Sequence, residues 1–328
     1  MNNLKIFGKF LDQPILITKL NKSMPKIMAC GAGIILANDA IDVFKKNDED
    51  KNFKKDLFKK AIILTFAISS ALLAPKIASK VTKRTPIETL DEIRNKNEKL
   101  INDFLKNNNL EESAKNLLIK AKNEILTLSE IKKLAKNLSC NKDGEKLFNE
   151  LIPDPENIQA KDIFSEIGYL SIYGLVPVIG GIMGGIFADK AVKESNKEKI
   201  TDKINEGIYQ YLANIFMCNI GAGISLSILE SMKITSKTAR AIGMTTGIIL
   251  TGVIGGSKIA NFISKKIVQP MICPNREQKE RKPELVDIGL HTDDIATVSL
   301  LSGLKWIEPV LPVLYSVSGY KAGIGYRN

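Results

Sequence analysis

Long uncharged stretches alternate with lysine-rich ones along this chain. Ile167 to Ala188 runs for 22 residues without a charge, Gly207 to Leu229 for 23 and Ala241 to Ser257 for 17. The last is extended beyond Lys258 by Ile259 to Ile263. At a rise of about 1.5 Å per residue, roughly 20 residues cross a hydrocarbon layer about 30 Å thick, so these stretches predict three membrane helices. Ala61 to Ala74, continued by "PKIASKV", predicts a fourth. Two weaker segments carry charges, Asp39 and Asp42 within Ile27 to Val43, and Lys305 and Glu308 within Ile295 to Tyr320. The pattern as a whole predicts an all-α, polytopic helical membrane protein with five or six spans. A soluble protein built on large buried helices is the competing arrangement.

Residues 85–160 break this pattern. "TPIE" at Thr85 to Glu88 has the form of a helix start, with a cap, a proline at the first helical position and a glutamate three residues on. Leu90, Ile93, Leu100, Ile101 and Phe104 follow at helical spacing, and Ser129 is placed to cap a further helix carrying Ile131, Leu134 and Leu138. A small polar helical insert outside the bilayer is expected. Residues 1–26 form an N-terminal amphipathic arm in which Leu4, Phe7, Phe10 and Leu11 share one face beside Lys5 and Lys9. That face suits a membrane interface or the protein's own core equally. The domain order is then arm 1–26, first helix pair 27–84, insert 85–160 and membrane helices three to six over 161–328.

The apolar runs contain glycines that a soluble helix would lose, since each costs about 1 kcal/mol against alanine. Gly180 and Gly184, like Gly181 and Gly185, stand four apart, as do Gly243 and Gly247, Gly252 and Gly256, and Gly319 and Gly323. In lipid, where helices gain little from hiding apolar surface, small residues allow the close backbone approach that holds them together. Gly180 to Gly185 is expected to meet the stripe from Gly243 to Gly256. "CGAGI" at Cys30 to Ile34 is echoed by "CNIGAGI" at Cys218 to Ile224, and "KIA" recurs downstream of each. If these echoes reflect duplication of a three-helix unit, the second copy must enter the membrane inverted.

Composition changes this picture little. The net charge of +11 would suit nucleic acid, but 87–160 holds 14 acids and 12 bases, leaving 22 acids and 35 bases elsewhere, mostly flanking apolar runs. Such lysines read as anchors on anionic headgroups rather than as a nucleic-acid surface. The four cysteines are scattered and form no metal-binding spacing. "SCNKDGEKLFNE" from Ser139 resembles an EF-hand calcium loop, but Ser139 replaces the first aspartate and Lys146 the usual apolar residue, so no calcium binding is expected. His291 stands alone, and no nucleophile elbow or phosphate loop is present. Neither a catalytic site nor a cofactor is predicted. The charges placed at bilayer depth, Asp39, Asp42, Lys305 and Glu308, are the sharpest functional hint. Two functions fit: a membrane scaffold whose insert binds a protein partner, which demands fewer special features, or a transporter or channel for a small solute or ion built from an inverted repeat. Both place the chain in a cell membrane, with the lipid bilayer as its first partner.

Overall fold

The computed structural model describes residues 3–46, 50–84, 88–140, 142–153, 159–276, 280–285, 287 and 309–325, with backbone alone at 3, 4, 38–40, 42–46 and 50–53. Among these residues every regular element is helical and there is no strand. The chain divides into two compact units.

The first unit comprises residues 1–24, 86–158 and 296–309. It contains α1 (Asn3–Leu11), the start of α2 (Pro14–Lys46), α4 (Leu90–Asn107), α5 (Glu112–Asn123), α6 (Leu128–Leu138) and α7 (Lys142–Leu151). Ile101, Phe104, Leu118, Leu126, Ile131, Leu134, Leu138 and Phe148 form one core, which Ile6 of α1 completes. The arm packs on the insert through Ile6, with Phe10 partly buried beside it, whereas Phe7 of the expected apolar face is exposed. Two polar contacts pin it there. The Lys9 ammonium, fully buried, donates to Asn149 Oδ1 (3.0 Å) and to the Ile152 carbonyl (2.7 Å). The Gln13 amide bonds both the carbonyl and the N–H of Leu126, at 2.9 and 2.8 Å.

The helix starts differ from the expected ones. Thr89, not Thr85, caps α4 through a reciprocal box with Glu92, and Thr127, not Ser129, caps α6 with Glu130. "TPIE" and "TLDE" both satisfy the capping rule, and the apolar face beginning at Leu90 and Ile93 selects the second. The turn-like "DG" of the calcium-loop resemblance lies inside the first turn of α7, a helix where a calcium loop would need open backbone. Hydrogen bonds from Lys120 and from the Thr127 backbone hold the Glu130 carboxyl well down, at about 2. Its contribution to stability is present above the ordinary glutamate value and is lost as pH falls towards about 2. Hydrogen exchange on the intact protein is expected to show α6 loosening between pH 4.5 and 2, and loosening less in Glu130→Gln. Equal pH dependence in both proteins would refute this assignment.

The second unit comprises residues 25–85, 159–295 and 310–328. Its elements are the remainder of α2, then α3 (Asp50–Thr82), α8 (Ala160–Ala191), α9 (Lys197–Ser231), α10 (Lys237–Ile272) and α11 (Leu311–Ile324). Four of these helices, α3 from Lys54, α8, α9 and α10, are long and apolar enough to cross a membrane. Both α9 and α10 widen into π-helix, at Leu212–Phe216 in the first and at Ile248–Gly256 and Ser264–Val268 in the second.

Antiparallel α3 and α8 are joined at one end by Lys59 and Asp189 (2.8 Å) and at the other by Arg84 and Glu166 (3.0 Å). Helix α11 runs parallel to α8. A Cβ built on Gly181 would overlap the Gly319 carbonyl, and one on Gly185 the Gly323 carbonyl. Gly180 and Gly184 face the other way, against Ser70 and Phe66 of α3. The expected pairing of this stripe with Gly243 to Gly256 is therefore not what the fold contains. A two-residue glycine pair, repeated, presents two faces, and α8 uses them for two different helices. The later stripe meets α9 instead, with Gly247 against Gly221, Gly252 against Cys218, Gly256 against Ala213 and Gly243 against Leu229. The two echoes also differ in surroundings. Gly31 and Gly33 have no described atom within 4 Å of an added Cβ, whereas Gly221 is locked against Gly247.

Candidate functional site

The polar interior of the second unit begins on α9. Glu206, Gln210 and Asn214 recur every four residues, so each stands one helical turn beyond the last on the same side. All three are buried, as is Tyr209 beside them. The segment after α10 then delivers two charges to this face, Arg281 and Asp287. Arg281 is set by its backbone, because the Asn261 side chain of α10 accepts from the Arg281 N–H (3.0 Å) and donates to its carbonyl (2.9 Å). Earlier in the segment, Arg276 forms a two-pronged pair with Asp202 of α9 at 3.0 and 3.2 Å.

The resulting cluster is fully enclosed, with no side-chain exposure at Glu206, Arg281 or Asp287. Arg281 Nε lies 3.4 Å from Glu206 Oε2, and Nη2 lies 3.2 Å from Asp287 Oδ2. The guanidinium also stacks over the Tyr209 ring at 4.7 Å. Burial works against its charge, but Glu206 and Asp287 outweigh this and raise its pKa further. Asp287 collects donors from every side: Asn214 Nδ2 (3.2 Å), the Tyr209 hydroxyl (3.4 Å), the Glu284 N–H (2.8 Å) and the Lys321 ammonium of α11 (3.2 Å). Ser257 of α10 donates to the Tyr209 hydroxyl at 3.0 Å. One carboxylate thus ties α9, α11 and the segment after α10 together.

A second ionic cluster lies where α8 ends and α9 begins. Asp189 is buried between Lys203 (2.5 Å) and Lys59 (2.8 Å), and Lys59 reaches Glu194 at 3.2 Å. Taking charge out of water costs several kcal/mol per ion unless pairing returns it, so both clusters are strong constraints on which helices meet.

None of these residues was singled out by sequence reasoning. The fourfold spacing of Glu206, Gln210 and Asn214 at the mouth of an uncharged run was the available signal. Of the residues that were singled out, Asp39 and Asp42 lie in α2 with side chains outside the described set, and Lys305, Glu308 and His291 fall outside the described residues altogether. The glycines stand at the helix contacts given above. Among the described residues no group of three histidine, cysteine, aspartate or glutamate side chains could hold a metal ion. No protein-family model, no curated protein and no solved structure matches the chain.

Proposed function

We propose that this is an integral membrane protein that carries protons or small cations through its helical bundle. The observation behind this reading is the enclosed Glu206–Arg281–Asp287 cluster, with 0% side-chain exposure, among helices of membrane-crossing length. Ionisable groups enclosed within a membrane helix bundle are expensive, and where they persist they commonly line the path of an ion or proton. The π-helical turns of α9 and α10 support it too, since such turns occur frequently at functional sites. In this reading α3, α8, α9 and α10 cross the bilayer, the apolar half of α2 makes a fifth span, the 14-residue α11 packs within the bundle without crossing it, and the small-residue faces of α8 and α10 serve as packing surfaces. No catalysis is assigned. The test is flux in proteoliposomes loaded with a pH-sensitive dye or a tracer cation. Wild-type protein should dissipate an imposed gradient faster than protein-free vesicles, and Glu206→Gln and Asp287→Asn should slow it. Identical leak from wild-type and protein-free vesicles would remove the proposal.

A second reading, a scaffold that captures a protein partner through 85–160, is favoured by the separate core of that unit. It predicts full function for Glu206→Gln and loss of partner binding when the exposed face of the insert is changed.

A further inference from the structure

The hydrogen bonds along α9 have a direction. Gln210 Nε2 donates to Glu206 Oε1 (2.8 Å), and Asn214 Nδ2 donates both to Gln210 Oε1 (2.9 Å) and to Asp287 Oδ1 (3.2 Å). A continuous run of hydrogen bonds therefore links the two buried carboxylates through two amides. An ionised carboxylate only accepts, so Glu206 dictates which end of Gln210 faces it, and Gln210 in turn dictates which end of Asn214 does. The amide hydrogens of Asn214 are thereby committed, and its Oδ1, buried, meets no protein donor among the described residues. A buried acceptor in that position takes a hydrogen from water or from a hydrated proton.

Farther along, Asn219 is also buried, five residues beyond Asn214. In a regular α-helix a five-residue step overshoots a turn by roughly 140°. The π-turn at Leu212–Phe216, whose hydrogen bonds span five residues, removes part of that excess, and the Asn219 amide donates to the Ile215 carbonyl of its own helix (3.0 Å). Cys218 Sγ, bonded to the carbonyl of Ala213 five residues earlier, follows the same wider winding.

We infer that Glu206, Gln210 and Asn214 form a proton-carrying track leading from the Glu206–Arg281–Asp287 cluster into the bundle, with Glu206 the group that takes the proton. This deepens the transport reading and rests on it, naming the proton as the carried species. The step is a relay: a hydrated proton at Asn214 Oδ1 adds to that oxygen and leaves a water behind, Asn214 Nδ2 passes a hydrogen to Gln210 Oε1, and Gln210 Nε2 passes one to Glu206 Oε1, so that Glu206 becomes a neutral acid and both amides become imidic acids. The reverse shifts restore both amides when Glu206 gives the proton up. The groups that set this equilibrium are Tyr209 and Gln210 on α9, Ser257 on α10, Arg281, Glu284 and Asp287 in the following segment, and Lys321 on α11. A track of amides whose hydrogens point towards carboxylates presents donors as well as oxygens, which suits a hydrogen-bonded proton better than a bare metal cation.

The test is infrared difference spectroscopy of the intact protein in detergent across a pH titration, with and without sodium ion. A protonated-carboxyl stretch that shifts in D₂O is expected in wild type and absent from Glu206→Gln. In Asn214→Leu the same band should exchange with D₂O at least tenfold more slowly. Should Glu206→Gln not fold, the exchange rate in Asn214→Leu carries the test alone. A band that survives in Glu206→Gln, exchanges equally fast in Asn214→Leu, or is displaced by sodium at fixed pH overturns the inference. A Glu206-dependent band together with absent proton flux in vesicles would instead overturn the transport reading and leave the titrating site standing.

Discussion

Replacing Gly181 with leucine is expected to destabilise the detergent-solubilised protein by about 3 kcal/mol or more, an overpacking cost at the upper end of the usual range. A Cβ at Gly181 would meet the carbonyl oxygen, the carbonyl carbon and the Cα of Gly319, all backbone. No rotamer change relieves a clash with backbone, so α8 and α11 must separate. Separation forfeits many small dispersion contacts at once, including the neighbouring approach of Gly185 to Gly323. The control is Gly31→Leu. No described atom lies within 4 Å of its added Cβ, and leucine is the better helix former by roughly 1 kcal/mol. That variant should be neutral or slightly stabilising. An equal change of melting temperature in the two proteins would show that the close approach of Gly181 to Gly319 carries no energy.

Arg281→Met should be nearly as damaging, about 3–5 kcal/mol, because it strands Glu206 and Asp287 without their shared cation in a closed environment. The decisive measurement is the pair of variants rather than the single one. Adding Glu206→Gln to Arg281→Met removes one of the stranded charges and should restore part of the loss. If the double variant is simply the sum of the two singles, the residues do not interact across the 3.4 Å that separates them. A comparison of the two acids offers a second readout. Glu206 loses the cation 3.4 Å from it while Asp287 keeps Lys321, so Glu206→Gln should restore more of the Arg281→Met loss than Asp287→Asn does.

How much of this was visible in the chain depends on whether the signal is local. The membrane-length helices were, because an uncharged run from Gly207 to Leu229 needs no partner to be recognised. Glycine spacing was also local, but the partner was not. Gly180 and Gly181 differ by one position, about 100° around the helix, which is enough to send them to α3 and α11 respectively. The polar cluster is the opposite case. Asp287 lies 73 residues from Asn214 and 78 from Tyr209 along the chain, and no periodicity connects a loop aspartate to a distant helix face. Attention to charges in the middle of apolar runs also pointed past Glu206, which sits at the edge of one. The arm was ambiguous for a physical reason. An apolar face flanked by lysines fits headgroups or a protein core, and only the Lys9 and Gln13 hydrogen bonds to the insert decide for the core.

The parallel seating of α11 on α8 has a mechanical consequence. Backbone-to-backbone contact at Gly181–Gly319 joins α8 and α11 into one body, on which α3 packs through Ser70 and Phe66, and the Gly221–Gly247 contact joins α9 with α10 into another. Between the two bodies Gly207 meets the Ile182 side chain and Gly174 that of Ile215, while Gly325 at the end of α11 comes near the Lys203 backbone. Side chains can change rotamer where backbone cannot yield, so this seam is where the bundle can shear. Lys203–Asp189 and Lys321–Asp287 both bridge it. Any slip along the seam would stretch those two ion pairs first, making them the springs against which movement has to work.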